Sequence, residues 1–228
     1  MSIQLQKHMK SINDKVRELA EMSTGAFMNA MKAFEALDQN LAAEVRSTSE
    51  IIEQKSLGIE DNVFETIARR QPVAKDLREL ATYLSVAHHL YRIGRYAYKV
   101  SHIVRLCEGM EHFKELVSLP YLAELAKQTI DIAMRAVLDR DLTHIGELEK
   151  LEAISDKETS DMFEEIADYL RKRNDITKMA MFYVIVGRYC ERAADHAFSI
   201  AERAVYMVTG RRVKLGLAYK GQSSQAPH

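Results

Sequence analysis

Apolar residues return every three or four positions along most of this chain. Near the start, Met9, Ile12, Val16, Leu19 and Met22 keep that step. In the last long segment Met179, Tyr183, Val186, Cys190, Ala193, Ala197, Ile200, Ala204 and Met207 alternate steps of four and three. Such a period is the buried face of an amphipathic helix, and sustained over this length it predicts a bundle seam. The methionines on it read as core packing. Breaks are few. Asp38-Gln39-Asn40 closes a first helix, and Arg70-Gln71-Pro72 a second, because proline cannot continue a helix interior but suits a new first turn. Cys107 to Pro120 reads as a connector, Asp139-Arg140-Asp141 closes a fourth helix, and Arg171 to Asp175 closes a fifth and offers an N-cap for the next. Gly210 ends the sixth. The expectation is six helices, several near 30 residues and so roughly 45 Å long at 1.5 Å per residue.

The six fall into two sets of three. Ala33 and Ala36 followed by Asp38, Asn40 and Leu41 recur as Ala133 and Ala136 followed by Asp139, Asp141 and Leu142. Arg92, Ala97 and Val100 recur as Arg192, Ala197 and Ile200. A self-similarity at a spacing of about 100 residues marks a duplicated three-helix unit. The predicted fold is all-α, two tandem three-helix bundles forming an elongated six-helix molecule. The first repeat spans 1–108, a connector 109–120, the second repeat 121–215, and 216–228 is expected to be a disordered tail.

Composition narrows the function. The 228 residues hold 9 Gly and 3 Pro, too few for a loop-rich β-sandwich. With 32 basic against 33 acidic residues, the net charge of -1 gives no global electrostatic case for a nucleic-acid binder. Cys107 and Cys190 cannot make a disulfide framework, which points to a reducing cytosol. The longest uncharged apolar run, Met179 to Gly187, is nine residues against the about 20 of a membrane span. The opening residues have no apolar signal-peptide core. The chain reads as cytoplasmic, reaching a membrane only through partners.

Four carboxylates supply the candidate chemistry. Glu152 and Asp156 are four apart on helix five, and Glu191 and Asp195 four apart on helix six, so each pair shares a helix face. The pairs 156/191 and 152/195 are both centred on the turn at 171–175. In an antiparallel hairpin Asp156 therefore stands level with Glu191, and Glu152 with Asp195. Four like charges in one place repel, and a hard cation on oxygen ligands would relieve them. The competing reading is a solvated acidic face, since Glu191 and Asp195 lie off the apolar seam; a metal here would sit in a shallow, open site. The same arithmetic in the first repeat sets Ser49 and Glu53 opposite Tyr91 and Arg95. There Arg95 can pair with Glu53, which predicts one competent site rather than two.

Arg70, Gln71, Pro72, Val73, Ala74, Asp76, Leu77 and Arg78 resemble the RQPVAxDLR signature of the PhoU family, accessory and regulatory proteins of phosphate transport. Glu191, Arg192, Ala193, Ala194, Asp195, His196 and Ala197 resemble the family's ERIGDHA motif, and Val208, Thr209 and Gly210 its helix-six ending. The resemblance runs over nearly the whole chain as two repeats. It implies a cytoplasmic, often homodimeric, non-enzymatic regulator that restrains phosphate uptake and the phosphate-starvation response. The implied partners are the phosphate transporter's ATPase subunit and a sensor histidine kinase. It also implies a metal ion (Mg, Mn, Fe, Zn or Ca) on Glu152, Asp156, Glu191 and Asp195. The first repeat departs from the pattern: Tyr91, Arg92, Ile93, Gly94 and Arg95 stand where the family has ERIGD, and Ser49 replaces an acid.

Other features read more plainly. Arg69, Arg70, Lys75 and Arg78 gather at one hairpin tip and Arg171, Lys172, Arg173 and Lys178 at the other. They complement helix C-termini, or else face an acidic partner or a phosphate. His88 and His89, being adjacent, point to different helix faces; His196 stands at the edge of the acidic pair. Tyr91, Tyr96, Tyr98 and Tyr189 read as packing residues. No Glu-x-x-His, glycine-rich phosphate loop, GxSxG or CxxC occurs. A metal-dependent phosphoester or polyphosphate hydrolase is the alternative function, and a metal-free helical interaction protein a third.

Overall fold

The computed structural model describes residues 3–216. Six helices account for the described chain: α1 (Ile3–Ala36), α2 (Gln39–Arg70), α3 (Ala74–Leu106), α4 (Ser118–Leu138), α5 (Leu148–Lys172) and α6 (Thr177–Thr209). A single 3₁₀ turn, Ile145–Glu147, leads into α5. No strand occurs among the described residues. Most of the expected disordered tail, 217–228, lies outside them.

The periodic residues become the core. Every member of the α6 seam from Met179 to Met207 is buried. So are Met9, Ile12, Val16 and Leu19 of α1, with Met22 packed against them. One apolar cluster runs through both repeats, because α1 packs on α4 and α3 on α6 as well as each helix on its neighbours within a repeat. Burial of these faces, rather than intrinsic propensity, holds helices of this length in place.

The ends of the helices show where sequence signals succeed and fail. Asp38 caps α2, its carboxylate accepting from the backbone N–H groups of Asn40 (2.9 Å) and Leu41 (3.0 Å). Gly210 ends α6 in the left-handed conformation, φ 74°. Two expectations are corrected. The Arg171–Asp175 turn supplies no side-chain cap to α6, because Asp175 pairs instead with Arg173. The connector is shorter than read: α4 begins at Ser118, with Pro120 in its first turn, where a missing N–H breaks no helical bond.

What remains of the connector is pinned. The imidazole of His112 lies 2.8 Å from the Tyr183 hydroxyl and 3.0 Å from the Phe34 carbonyl oxygen, and Phe113 stacks on Tyr183. A second tie crosses between repeats at Glu79, which is only 4% exposed. It accepts two hydrogen bonds from Arg140 (2.8 and 2.7 Å) and one from Tyr83 (2.8 Å). The phenol in turn accepts from Asn13 at 2.9 Å. Burial, helped by Glu79, lifts the Tyr83 hydroxyl well above its ordinary titration range, so it stays a donor.

Candidate functional site

The acidic pair of helices is more open than the rest of the bundle. Only Leu148, Met162 and Ile166 of α5 are buried, and between 149 and 161 Leu151 alone of the hydrophobic residues packs against the core, half-buried. Farther down, near the turn, α5 and α6 come close: a Cβ on Gly187 would stand 2.7 Å from Cε of Met162. Glu152, Asp156, Glu191 and Asp195 therefore lie where the hairpin is not closed by apolar contact.

Their arrangement is partly the expected one. Asp195 is exposed, yet its carboxyl is held above the usual carboxylate range. Loss of water around it is the first cause, and the charges of Glu191 and Glu152 add to it against Arg188 and Arg192. Three of the four carboxylates thus share one field. The fourth, Asp156, is exposed and joins no ion pair or hydrogen bond among the described residues. Glu191 is drawn to its own helix, where Arg188 donates to both of its oxygens. As the side chains stand, no three His, Cys, Asp or Glu residues converge on a metal position among the described residues. The oxygens suit a hard cation in kind, but their placement does not form its cage.

The chain itself reaches this place. After α6, residues 211–216 turn back along it, and Glu202 accepts from the Leu215 N–H (3.0 Å) while pairing with Lys214 (3.1 Å). Buried Gly216, at φ 108°, lies beside Glu152: a Cβ there would be 3.3 Å from its Oε1. Glycine is the residue that allows both that φ and that approach.

The first repeat fills the equivalent place differently, and one detail corrects the sequence reading. Arg95 does not pair with Glu53. Its guanidinium lies over the Tyr98 ring, 5.0 Å from the centroid, and Glu53 accepts from the Tyr91 hydroxyl at 3.4 Å. Ser49 is buried. Between these rungs Ile52 presses on Gly94, where a Cβ would be 2.8 Å from Ile52 Cγ2. The two helices are closed by apolar contact at the level where α5 and α6 stand open.

A polar seam between the repeats escaped the sequence reading. His89 of α3 and His196 of α6 face each other with Nδ1 atoms 2.9 Å apart, one ring donating and the other accepting, and the Tyr96 hydroxyl lies 3.1 Å from His196 Nε2. Tyr96 also stacks on Tyr189, at 5.6 Å between centroids. His196 therefore looks toward α3, not toward the acidic pair beside it in sequence. Burial first, then the electrostatic influence of neighbours (His196, His88 and Arg203 on His89; Arg92, His88 and Arg192 on His196), holds both imidazoles down to about 4. The pairing has a sequence signal: 89 answers to 189 and 96 to 196 at the repeat spacing, so 89–196 and 96–189 are the two symmetry-related contacts of one interface. At the second basic tip Arg171 pairs with Asp168 and Arg173 with Asp175. At the first, Arg69 pairs with Glu65.

The whole-chain comparisons agree with this architecture. The PhoU domain model matches twice, over residues 16–104 and 119–204. Among curated relatives, a phosphate-specific transport system accessory protein PhoU homolog 1 of Thermotoga maritima is 22% identical over 213 residues, covering 93% of this chain and 92% of its own. A PhoU homolog of the same description from Pseudomonas aeruginosa is 27% identical, covering 82% and 77%. The crystal structure of PhoU from Pseudomonas aeruginosa superposes with a TM-score of 0.85 at 24% identity, covering 90% of this chain and 99% of that one. The phosphate transport system regulatory protein PhoU from Streptococcus pneumoniae gives 0.82 at 19% identity, covering 92% and 100%. With both repeats matched in turn, this chain belongs to the PhoU family.

Proposed function

We propose that this protein is a non-catalytic accessory regulator of phosphate transport. In this reading it is a cytoplasmic helical adaptor that restrains uptake and the phosphate-starvation response by docking the transporter's ATPase subunit and a sensor histidine kinase. The observation that carries the reading is the match of both repeats to one family whose curated relatives are phosphate-specific transport accessory proteins. The surface is compatible with it. Leu57 and Phe64, two turns apart on one face of α2, are each 51% exposed, an apolar pair of the kind a partner covers. Among the described residues no helix is long and apolar enough to cross a membrane, so a membrane transporter would be met through such a face. A deletion strain tests the regulation: phosphate-starvation genes should lose repression in phosphate-rich medium, and normal repression without the protein would overturn the reading.

Cation binding at Glu152, Asp156, Glu191 and Asp195 is a separate proposal, supported by the shared field that raises Asp195. To close a cage, Glu191 would have to leave Arg188 and Asp156 to turn inward. Elemental analysis of protein purified without chelator should find a metal that an Asp156→Ala/Asp195→Ala variant loses. Protein free of metal, or metal unchanged in the variant, would refute it.

A further inference from the structure

Three arginines meet without an acid where the start of α3 passes the end of α6. Arg78 stands in the second turn of α3, Arg203 in the last turns of α6, and Arg212 in the segment that follows it. Together with Ala74, Thr82 and Tyr206 they line a cleft of about 260 Å³ that contains no carboxylate. Arg212 lies over the Tyr206 ring, 4.5 Å from its centroid, which fixes its guanidinium at the mouth. The Nε of Arg78 is buried and has no hydrogen-bond partner. No ion pair is made by Arg78, Arg203 or Arg212 among the described residues. The nearby acids are engaged elsewhere. Glu202, lining the adjoining cleft of about 380 Å³, is held by Lys214 and the Leu215 N–H. Asp76, in the first turn of α3, is one of the charges acting on Arg140.

Three like charges in one cleft repel, and guanidinium forks match the oxygens of tetrahedral anions better than any other side chain does. The start of α3, with Ala74 on the wall, adds the positive end of a helix dipole. The duplication supplies a contrast. At the repeat spacing, Arg78 answers to Lys178, Arg203 to Ile103 and Arg212 to His112. There the connector is folded in, with His112 bound to Tyr183 and the Phe34 carbonyl. One end of the α3–α6 crossing is thus closed by the chain itself, and the other presents guanidiniums that no carboxylate pairs among the described residues.

We propose that Arg78, Arg203 and Arg212 form a binding site for a phosphate-type oxyanion, carried either by free orthophosphate or by a lipid headgroup. The site does not depend on the carboxylate cluster or on the regulatory reading, and its test uses the full-length protein alone. In calorimetric titration with inorganic orthophosphate, saturable binding is expected, weakened about tenfold or more by Arg203→Gln and by Arg212→Gln. Both residues are exposed, so the fold should survive. Arg211→Gln, outside the cleft, should bind as the wild type does. In a parallel arm, co-sedimentation with vesicles of phosphatidic acid in phosphatidylcholine that fails in the same two variants assigns the headgroup as the source. Titration without vesicle capture assigns the free ion. Binding in neither arm, or binding weakened equally by Arg211→Gln, overturns the proposal.

Discussion

Acidification should loosen the contact between the repeats through His89 and His196. Both imidazoles titrate near 4 in the folded protein, against about 6.5 in an unfolded chain. At pH 7 the folded imidazoles are neutral and an unfolded one holds only about a quarter of a proton. At pH 5 the unfolded imidazoles are almost fully charged, while about a tenth of the folded ones are, so the unfolded state gains. The folded values are depressed, so the contribution is intact above 6.5 and drains away as pH falls from there toward 4. Linkage over the two units from pH 7 to 5 gives about 2 kcal/mol for one imidazole. The two share a hydrogen bond and titrate as a coupled pair, so the pair is worth roughly 2–4 kcal/mol. For a chain of this size that is on the order of 5–15 °C in Tm. The assay is thermal unfolding by circular dichroism at pH 7, 6 and 5, for wild type and a His89→Gln/His196→Gln variant. Carboxylates titrate in both proteins and cancel in the difference. The wild type should lose more Tm on acidification than the variant, by that margin. Parallel Tm-against-pH curves would refute the argument, because they would mean the pair is charged or solvated in the fold.

Other substitutions probe the packing. Arg140→Ala strips the guanidinium from buried Glu79; with Arg140 half-exposed, a loss of about 2–3 kcal/mol in urea unfolding is expected, and an unchanged midpoint would show that the tie carries no stability. Gly94→Ala should cost roughly 1–3 kcal/mol, because its methyl meets the branched Cγ2 of Ile52, while Gly187→Ala should cost less, because its one close approach is to the swinging end of Met162, with Leu119 at ordinary contact distance. Equal losses would contradict that distinction. Gln71→Gly should stabilise by about 1 kcal/mol, since Gln71 ends α2 at φ 45° where a side chain is strained; a lower Tm would mean its side chain matters to the turn.

The periodic parts of the fold were legible because burial follows the helical repeat: each residue of the α6 seam went where its spacing pointed. The hairpin arithmetic also set Glu152 against Asp195, whose field it now shares. What the arithmetic could not weigh was competition along the same helix. Arg188 stands three residues before Glu191 and reaches it more easily than anything across the hairpin can. Arg95 likewise took the neighbouring Tyr98 ring over the more distant Glu53. The 171–175 turn gives α6 no side-chain cap, because Arg173, two residues from Asp175, claims its carboxylate. Register across a duplicated interface was legible but unread. Once α3 and α6 are taken to cross at equivalent positions, Tyr96 must meet His196, and His89 must meet it from the other side.

That crossing also says how such a molecule could be cut. Because the two halves grip each other through corresponding faces, the chain behaves as a homodimer whose subunits have been tied together and then allowed to diverge. Severing the tie between α3 and α4 while leaving His112 and Phe113 on one fragment should let the separately expressed halves find each other again. Neither half should pair as well with itself: in a dimer of the second half, Tyr189 and His196 of the other copy would stand where His89 and Tyr96 meet His196, and the His89–His196 hydrogen bond would be lost.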